Sequence, residues 1–437
     1  MEWWTLGIII FLALVLLIFI GVPIAFSLGI MSAFYALLFW PQGLNIFAFT
    51  SYGKMYSFML VAVPLFIFMA EMIVVSGSSS EAYDAVHKWM GPLPGGLAVS
   101  SLVATGVFAA CCGAAAGAIA SIGRVSIPEM LKRGYDRRLA VGSVAAGATV
   151  AELIPPSIFM ILIGVITETS IGKLFIGGVI PGILQISLFI IYIVIRSKLN
   201  PSYGPAAVSV RWKERWSSLY KVIPLLFLAI LVFGTLYSGM VTPTEVAAIG
   251  AFGSILIAAI CSKITWEKFQ IAILNTVRIT CFVLWILFAA AIFSQMITRI
   301  GIPQGLCEWI ISLSVNKYVI LLIINIVLLM LGCFIDPAGI IMITIPIFVP
   351  IMESLGFSLV WFGVIFVINM EIALLTPPLG LNLYVVKAVL FAEAGSDIPI
   401  TEIVRAVTPF LLLGILLIVI LTVFPELVTW LPETMIK

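Results

Sequence analysis

Long apolar runs, broken at intervals by Gly, Pro and short charged clusters, set the pattern of this chain. Apolar residues fill most of 5–20, 24–39 and 55–76, with Gly21-Val22-Pro23 as a tight turn between the first two. Crossing ~30 Å of hydrocarbon takes about 20 helical residues, so each run predicts a membrane span. The polar stretch from Ser76 to Pro94 follows, with Glu81, Asp84, His87 and Lys88. Residues 96–130 are apolar and small, interrupted by Ala109-Ala110-Cys111-Cys112-Gly113-Ala114. That run predicts the tip of a re-entrant helical hairpin, because irregular backbone at membrane depth is tolerated only where protein or water covers it. A span at 139–166 contains Pro155-Pro156, and another occupies 173–196. Beyond the polar loop 196–221, spans are predicted at 222–239, 244–262 and 271–298, with an interfacial stretch at 303–314. A second hairpin near 318–352, a broken span at 359–391, a polar connection at 392–405 and a last span at 407–425 complete the chain.

The pattern occurs twice. Shifted by 222 positions without gaps, Cys111 falls on Cys333, Ala116-Gly117 on Ala338-Gly339 and Ile119 on Ile341. Pro128 falls on Pro350, Met130 on Met352, Gly134 on Gly356, and Pro155-Pro156 on Pro377-Pro378. Matched Gly and Pro fix backbone breaks inside apolar segments, so the match concerns structure rather than composition. It predicts two repeats, 1–215 and 222–437, each with one re-entrant hairpin and one helix broken at Pro-Pro.

Composition and charge narrow this further. Of 437 residues, 63% are hydrophobic and 10% charged, too little charge to cover a soluble protein of this size. The short alternating segments of a membrane barrel are absent. The predicted class is an all-α polytopic membrane protein in the lipid bilayer. A net charge of +2 gives no reason to expect nucleic acid. The six cysteines have no zinc-site spacing and read as small packing residues. The N-terminus has no basic region, so the first apolar run reads as a retained span.

Lys132, Arg133, Arg137 and Arg138 form one basic cluster, and Arg196, Lys198, Arg211, Lys213, Arg215 and Lys221 form another in the loop 196–221. Both should be cytoplasmic. Trp212, Trp216 and Tyr220 repeat every four residues there, an aromatic stripe suited to the membrane interface. Counting spans back places the N-terminus outside. Five crossings between the hairpins turn the second one upside down, and its exit loop, 351–358, holds Glu353 and no Lys or Arg. The repeats are therefore predicted to have inverted topology.

Broken helices leave N–H groups unpaired on one half and carbonyls on the other. Carbonyls can coordinate a cation and half-helix N-termini can face a carboxylate, as in transporters built from inverted repeats. Candidate elements are Cys111–Gly117 with Asp336–Gly339, and Ile154–Ser157 with Thr376–Asn382. The cation candidates are Cys112, Gly113, Gly117, Asp336, Gly339, Thr376 and Gly380. The substrate candidates are Arg124, Pro155, Pro156, Ser157, Thr376, Pro377, Pro378 and Asn382. Asp336 has two readings, neutralising a cation or capping a half-helix. Arg124 also has two, clamping an anionic substrate or snorkelling to the cytoplasmic face. Asn369 reads as a site residue or as interhelical glue. Glu152, within a span, needs a basic partner, a proton or a cation. Glu71 and Arg278, inside predicted spans, read as structural partners of residues the sequence does not identify, and His87 as a solvated loop residue.

Several motifs resemble the large membrane subunit of tripartite ATP-independent periplasmic (TRAP) transporters, over nearly the whole chain. They are Gly123-Arg124-Val125-Ser126-Ile127-Pro128-Glu129-Met130, Arg133-Gly134-Tyr135-Asp136, Leu153-Ile154-Pro155-Pro156-Ser157, Thr242-Pro243-Thr244-Glu245, Asp336-Pro337, and the run from Glu371 through Thr376-Pro377-Pro378 to Asn382. The resemblance implies Na⁺-coupled import of a small organic acid anion across the bacterial inner membrane. It implies a periplasmic binding protein that delivers the substrate, a separate small four-helix membrane subunit, and an elevator in which hairpins and broken helices slide against the other spans. Where the family often has Ser-Gly-Ser-Ser, this chain has Cys112, Gly113, Ala114 and Ala115. Coordination at that tip would then rest on backbone carbonyls. Glu152 stands where the family usually has a small residue.

A stand-alone anion symporter, needing no binding protein, is the alternative. An intramembrane enzyme is disfavoured. One histidine excludes a His-Glu-x-x-His zinc site, no Ser or Cys has an evident His base, and there is no P-loop.

Overall fold

A chain this apolar satisfies its backbone by winding it, since hydrocarbon offers no hydrogen-bond partner. The computed structural model is helical and describes residues 3–40, 42–76, 79–112, 115–205, 211–239, 241–260, 264–313, 315–394 and 398–435. In chain order the helices are α1 Trp3–Phe19, α2 Ile24–Phe39, α3 Gly43–Met55, α4 Ala62–Val75, α5 Ser79–Met90, α6 Gly96–Cys112, α7 Ala115–Lys132, α8 Arg137–Thr149, α9 Ile158–Thr167 and α10 Ile171–Leu199. They continue as α11 Trp212–Tyr237, α12 Pro243–Ile260, α13 Trp266–Ile300, α14 Ile302–Ser312, α15 Lys317–Gly332, α16 Pro337–Ser354, α17 Leu359–Leu375, α18 Leu381–Ala394, α19 Ile400–Val423 and α20 Glu426–Glu433. Among the described residues, six helical stretches are long and apolar enough to cross a membrane: Phe58–Val75, Ile171–Leu199, Pro243–Ile260, Trp266–Ile300, Pro337–Ser354 and Ile400–Val423.

The expected interruptions fall where the sequence put them. Helix α8 passes through the turn Val150–Glu152 and ends before Pro155-Pro156, and α9 restarts behind it. Likewise α17 stops at Leu375 and α18 begins at Leu381, beyond Pro377-Pro378. Both Pro-Pro bonds are cis. Helices α6 and α7 form one helical pair, and α15 and α16 the other. At the offset of 222, α7 and α16 coincide at both ends, and α8 and α17 begin together. The packing follows the same correspondence. Helix α6 lies on α8 as α15 lies on α17, and α7 lies on α18 as α16 lies on α9. Each hairpin thus reaches the second half-helix of the other half of the chain.

Around these elements, α2, α3, α4 and α12 pack on one another or on the long α13, and α11 packs on α12. Large apolar side chains such as Phe227, Ile230, Phe252 and Phe282 are exposed on this group, as a lipid-facing surface requires.

Some expectations change. The loop 196–221 and the span at 222–239 are not separate, because α11 runs unbroken from Trp212 and carries the aromatic stripe into the span. Trp212, Trp216 and Tyr220 are exposed, and Trp89 of α5 packs edge-on against both tryptophans and donates to the Arg215 carbonyl. The polar stretch 76–94 contains α5, so His87 is helical and half-buried, stacked on Tyr83. Burial, then the Arg133 charge, holds its imidazole below the ordinary range. The connection 392–405 is shorter than expected because α19 starts at Ile400. Helices α3 and α20 have no counterpart in the sequence reading. Of the first hairpin tip, Cys112 ends α6, while Gly113 and Ala114 lie outside the described residues.

Helix α8 crosses α6 at a glycine: a Cβ at Gly147 would run into the backbone carbonyl of Leu102. Backbone cannot swing aside as a side chain can. Gly147→Ala is expected to destabilise the protein by about 1–3 kcal/mol, the usual scale for overpacking. Thermal unfolding in detergent reads this as a lowered midpoint, and an unchanged midpoint would contradict the close crossing.

Candidate functional site

The second hairpin tip and the second Pro-Pro loop meet directly. The Leu379 N–H donates to the Cys333 carbonyl at 3.1 Å. Asp336 is half-buried and caps α16, its Oδ2 accepting the Gly339 N–H at 3.2 Å. Of its two readings the geometry shows capping. Gly339 is buried against Ile24 of α2, where a Cβ would collide. The Thr376 hydroxyl donates to the Ile372 carbonyl at 2.7 Å, which commits its proton and leaves lone pairs on the oxygen. Pro377 is half-buried and Pro378 exposed.

Gly380 stands immediately before α18 with φ +34°, and a Cβ there would press on Leu383 and the Thr376 carbonyl. The conformation suits glycine, and glycine offers no side chain to cap the helix. The first-turn N–H groups of α18 therefore have no cap from that position. Asn382, in the same turn, is 1% exposed, and its Nδ2 has no hydrogen-bond partner. A helix N-terminus with an unpaired amide donor is suited to a carboxylate or sulfonate.

The first Pro-Pro loop is arranged differently. Pro155, Pro156 and Ser157 are buried, and Ser157 Oγ caps α9 by accepting the Met160 N–H at 3.2 Å. Pro155 and Pro156 line a cavity with Val107 and Ala110 of α6, so the loop meets the arm leading to the first tip. On another side, Pro156 and Ile158 line a cavity shared with Glu71 of α4 and Val283 of α13. Glu71 Oε2 accepts from Asn275 Nδ2 at 3.0 Å, which supplies the partner missing from the sequence. Arg278 is exposed on α13.

Arg124 is exposed on α7, and Gly117, two turns earlier, is exposed with open space where a Cβ would sit. Both lie on the open side of the hairpin arm, while Gly123 faces inward against Val144 and Val389. The structure therefore puts Arg124 on an accessible surface of α7. Asn369 serves as interhelical glue: its Nδ2 donates to Asn325 Oδ1 of α15 at 2.7 Å. Three polar residues went unassigned in the sequence reading. Ser126 is buried with an unpartnered hydroxyl, and Gln185 of α10 donates from Nε2 to the buried Glu371 of α17. A lone Glu371 inside an apolar run was the available signal, but its partner is 186 positions away. Among the described residues, no group of three or more His, Cys, Asp or Glu is placed to hold a metal ion.

The family profile described as "Tripartite ATP-independent periplasmic transporter, DctM component" matches residues 11–427. The chain belongs to that family. It is 36% identical over 410 residues to the C4-dicarboxylate TRAP transporter large permease protein DctM of Pseudomonas aeruginosa, covering 93% of this chain and 94% of that protein. It is 30% identical over 419 residues to the sialic acid TRAP transporter large permease protein SiaM of Vibrio cholerae, covering 95% and 96%. The isethionate TRAP transporter permease protein DctMQ of Oleidesulfovibrio alaskensis is 30% identical over 420 residues, covering 94% of this chain and 64% of that one. Among solved structures, the YdaH transporter of Alcanivorax borkumensis superposes with a TM-score of 0.59 at 16% identity, covering 95% of this chain and 98% of that one. MtrF of Neisseria gonorrhoeae gives 0.54 at 14%, covering 86% and 83%. Those two likenesses concern the fold alone. The protein is a TRAP-type large permease subunit, a multi-pass membrane transporter component and not an enzyme.

Losing a hydrogen bond to a charged group costs about 1.5–3 kcal/mol. Asn382→Ala is therefore expected to raise the half-saturating substrate concentration at least tenfold, read from the substrate dependence of uptake by the reconstituted transporter. Arg124→Ala is expected to raise it too, with Arg124→Lys recovering part of the loss. An unaltered dependence in Asn382→Ala would remove that residue from the substrate contacts, and likewise for Arg124.

Proposed function

We propose that this permease imports a small organic acid anion across the bacterial inner membrane, coupled to sodium. Membership of the DctM component family over residues 11–427 is the observation that carries the reading. The matched pair of hairpins and broken helices supports it, because such breaks present helix N-termini to anions and carbonyls to cations. The anion sits at the start of α18, against Asn382 and the N–H groups behind Gly380. Arg124 draws it in from the accessible face of α7, and Ser157, with Pro155-Pro156, walls the opposite side. Sodium is held by oxygens at the second tip and loop, from Asp336, Gly339, Thr376 and Gly380, and at the first tip from the backbone of Cys112, Gly113 and Gly117. Relatives named for C4-dicarboxylate, sialic acid and isethionate agree in being transporters of acids, so the shared requirement is one anionic group.

A periplasmic binding protein delivers the substrate, and a small four-helix membrane subunit completes the complex. That pairing is supported by the relative whose printed name joins M and Q in one permease. The repeats 1–215 and 222–437 have opposite orientations, the N-terminus is periplasmic, and the hairpin and broken-helix group moves as an elevator against the group around α13. Loop charge supports this orientation, with basic residues at 132–138 and Glu353 alone in the corresponding loop.

Proteoliposomes containing the permease and small subunit test the reading. Uptake of a labelled C4-dicarboxylate is expected only with an inward sodium gradient and the cognate binding protein. Uptake by the permease alone would favour the stand-alone symporter. Asp336→Asn keeps a competent cap but removes the charge. It is expected to leave the melting midpoint unchanged while raising the sodium concentration for half-maximal uptake. An unchanged sodium dependence would confine Asp336 to capping.

A further inference from the structure

Three buried polar side chains lie on elements that converge where α10 crosses the first halves of the two broken helices. Glu371 is 1% exposed, Gln185 2% and Glu152 5%. Helix α10, helix α17 and the turn Val150–Glu152 pack against one another pairwise. Glycine makes the approach close: a Cβ at Gly178 of α10 would strike the Leu153 carbonyl, and one at Gly182 would press on Ile154. Gln185 follows Gly182 by one turn on the same face, and its Nε2 donates to Glu371 Oε2.

The remaining valences do not close. Glu371 Oε1 and Gln185 Oε1 are buried without a partner. Both are acceptors, and the turn that carries Glu152 packs against both helices. The other ionisable groups on the packed elements lie mostly towards helix ends, such as Arg138 on α8, Lys173 and Arg196 on α10, and Arg405 on α19. Lys387 lies mid-way along α18. An ionised carboxylate in low dielectric loses its hydration. The chemistry the cluster lacks is a hydrogen-bond donor. A proton on Glu371 turns one of these acceptors into an O–H donor.

We propose that Glu371 and Gln185 form a buried proton-binding site, the proton carried by Glu371 and the Gln185 amide holding that carboxyl in position. The site uses none of the residues assigned above to anion or sodium. It joins α17 to α10, and the turn Val150–Glu152 packs against both, so its occupancy is sensed by the elements on which the Pro-Pro loops are hung.

Infrared spectroscopy of the purified full chain in lipid nanodiscs tests this without any transport assay, so its outcome is separate from that of the proposed import. The probe is the proton itself. The C=O stretch of a protonated carboxyl, shifted in D₂O, is expected at neutral pH in sodium-free buffer. The E152Q/E371Q double variant should lose that component, while E129Q/E353Q, which alters carboxylates outside the cluster, should keep it. Gel filtration and melting in detergent establish that each variant is folded. If the double variant does not assemble, the single variant Glu371→Gln is compared, and the component must fall in it. An equal carboxyl signal in wild type and these variants overturns the proposal. So does a wild-type signal abolished by added sodium at constant pH, which would make the cluster a sodium site.

Discussion

In hydrocarbon, a backbone N–H or carbonyl without a partner costs several kcal/mol, and the architecture follows from how this chain meets that cost at every break in a helix. Asp136, Ser157, Asp336 and Ser358 each accept an N–H from the first turn of the helix they precede. The loop at Pro377-Pro378 is tied to the second hairpin through the Leu379 N–H and the Cys333 carbonyl. Capping is not universal, since α2, α11, α14 and α19 start without a side-chain cap. At the start of α18, Gly380 has nothing to cap with, and the Asn382 amide is buried with its donor unpaired. That buried, unpaired donor is what singles out this helix start as the place proposed for the anion.

Close packing of small residues allows interrupted helices to be buried at all. Gly147 lets α8 meet the backbone of α6, and Gly178 lets α10 meet the loop behind Glu152. Without a hydrophobic drive between helices in lipid, such contacts and interhelical hydrogen bonds supply the cohesion. The bonds Asn369–Asn325, Gln185–Glu371 and Asn275–Glu71 each join helices distant in sequence. Asn369 Oδ1, Gln185 Oε1 and Glu371 Oε1 are all buried without a partner, and of these groups only Glu371 can take up a proton.

The exchange of contacts between halves also bears on the proposed motion. Since α7 rests on α18 and α16 on α9, an elevator of the kind proposed would carry each hairpin together with the other half's broken helix.

Much of this was legible in the sequence by itself. Apolar run length, the Gly and Pro landmarks at a spacing of 222, and the clustered charges determined an all-helical membrane chain with two hairpins and two broken helices. These features act locally, on backbone geometry and on transfer into lipid, so they are written position by position. Helix α5 escaped because its residues look like a loop until Trp89 and His87 find neighbours, and α11 because its basic end and its apolar span read as separate segments. Only the tertiary structure decided which candidates converge. It drew Leu379 to Cys333, turned Arg124 to an open face, spent Asp336 on a cap, and brought Gln185 to Glu371 across 186 positions. Those outcomes depend on which helix faces pack together, a property of the assembled set that no single stretch of sequence carries.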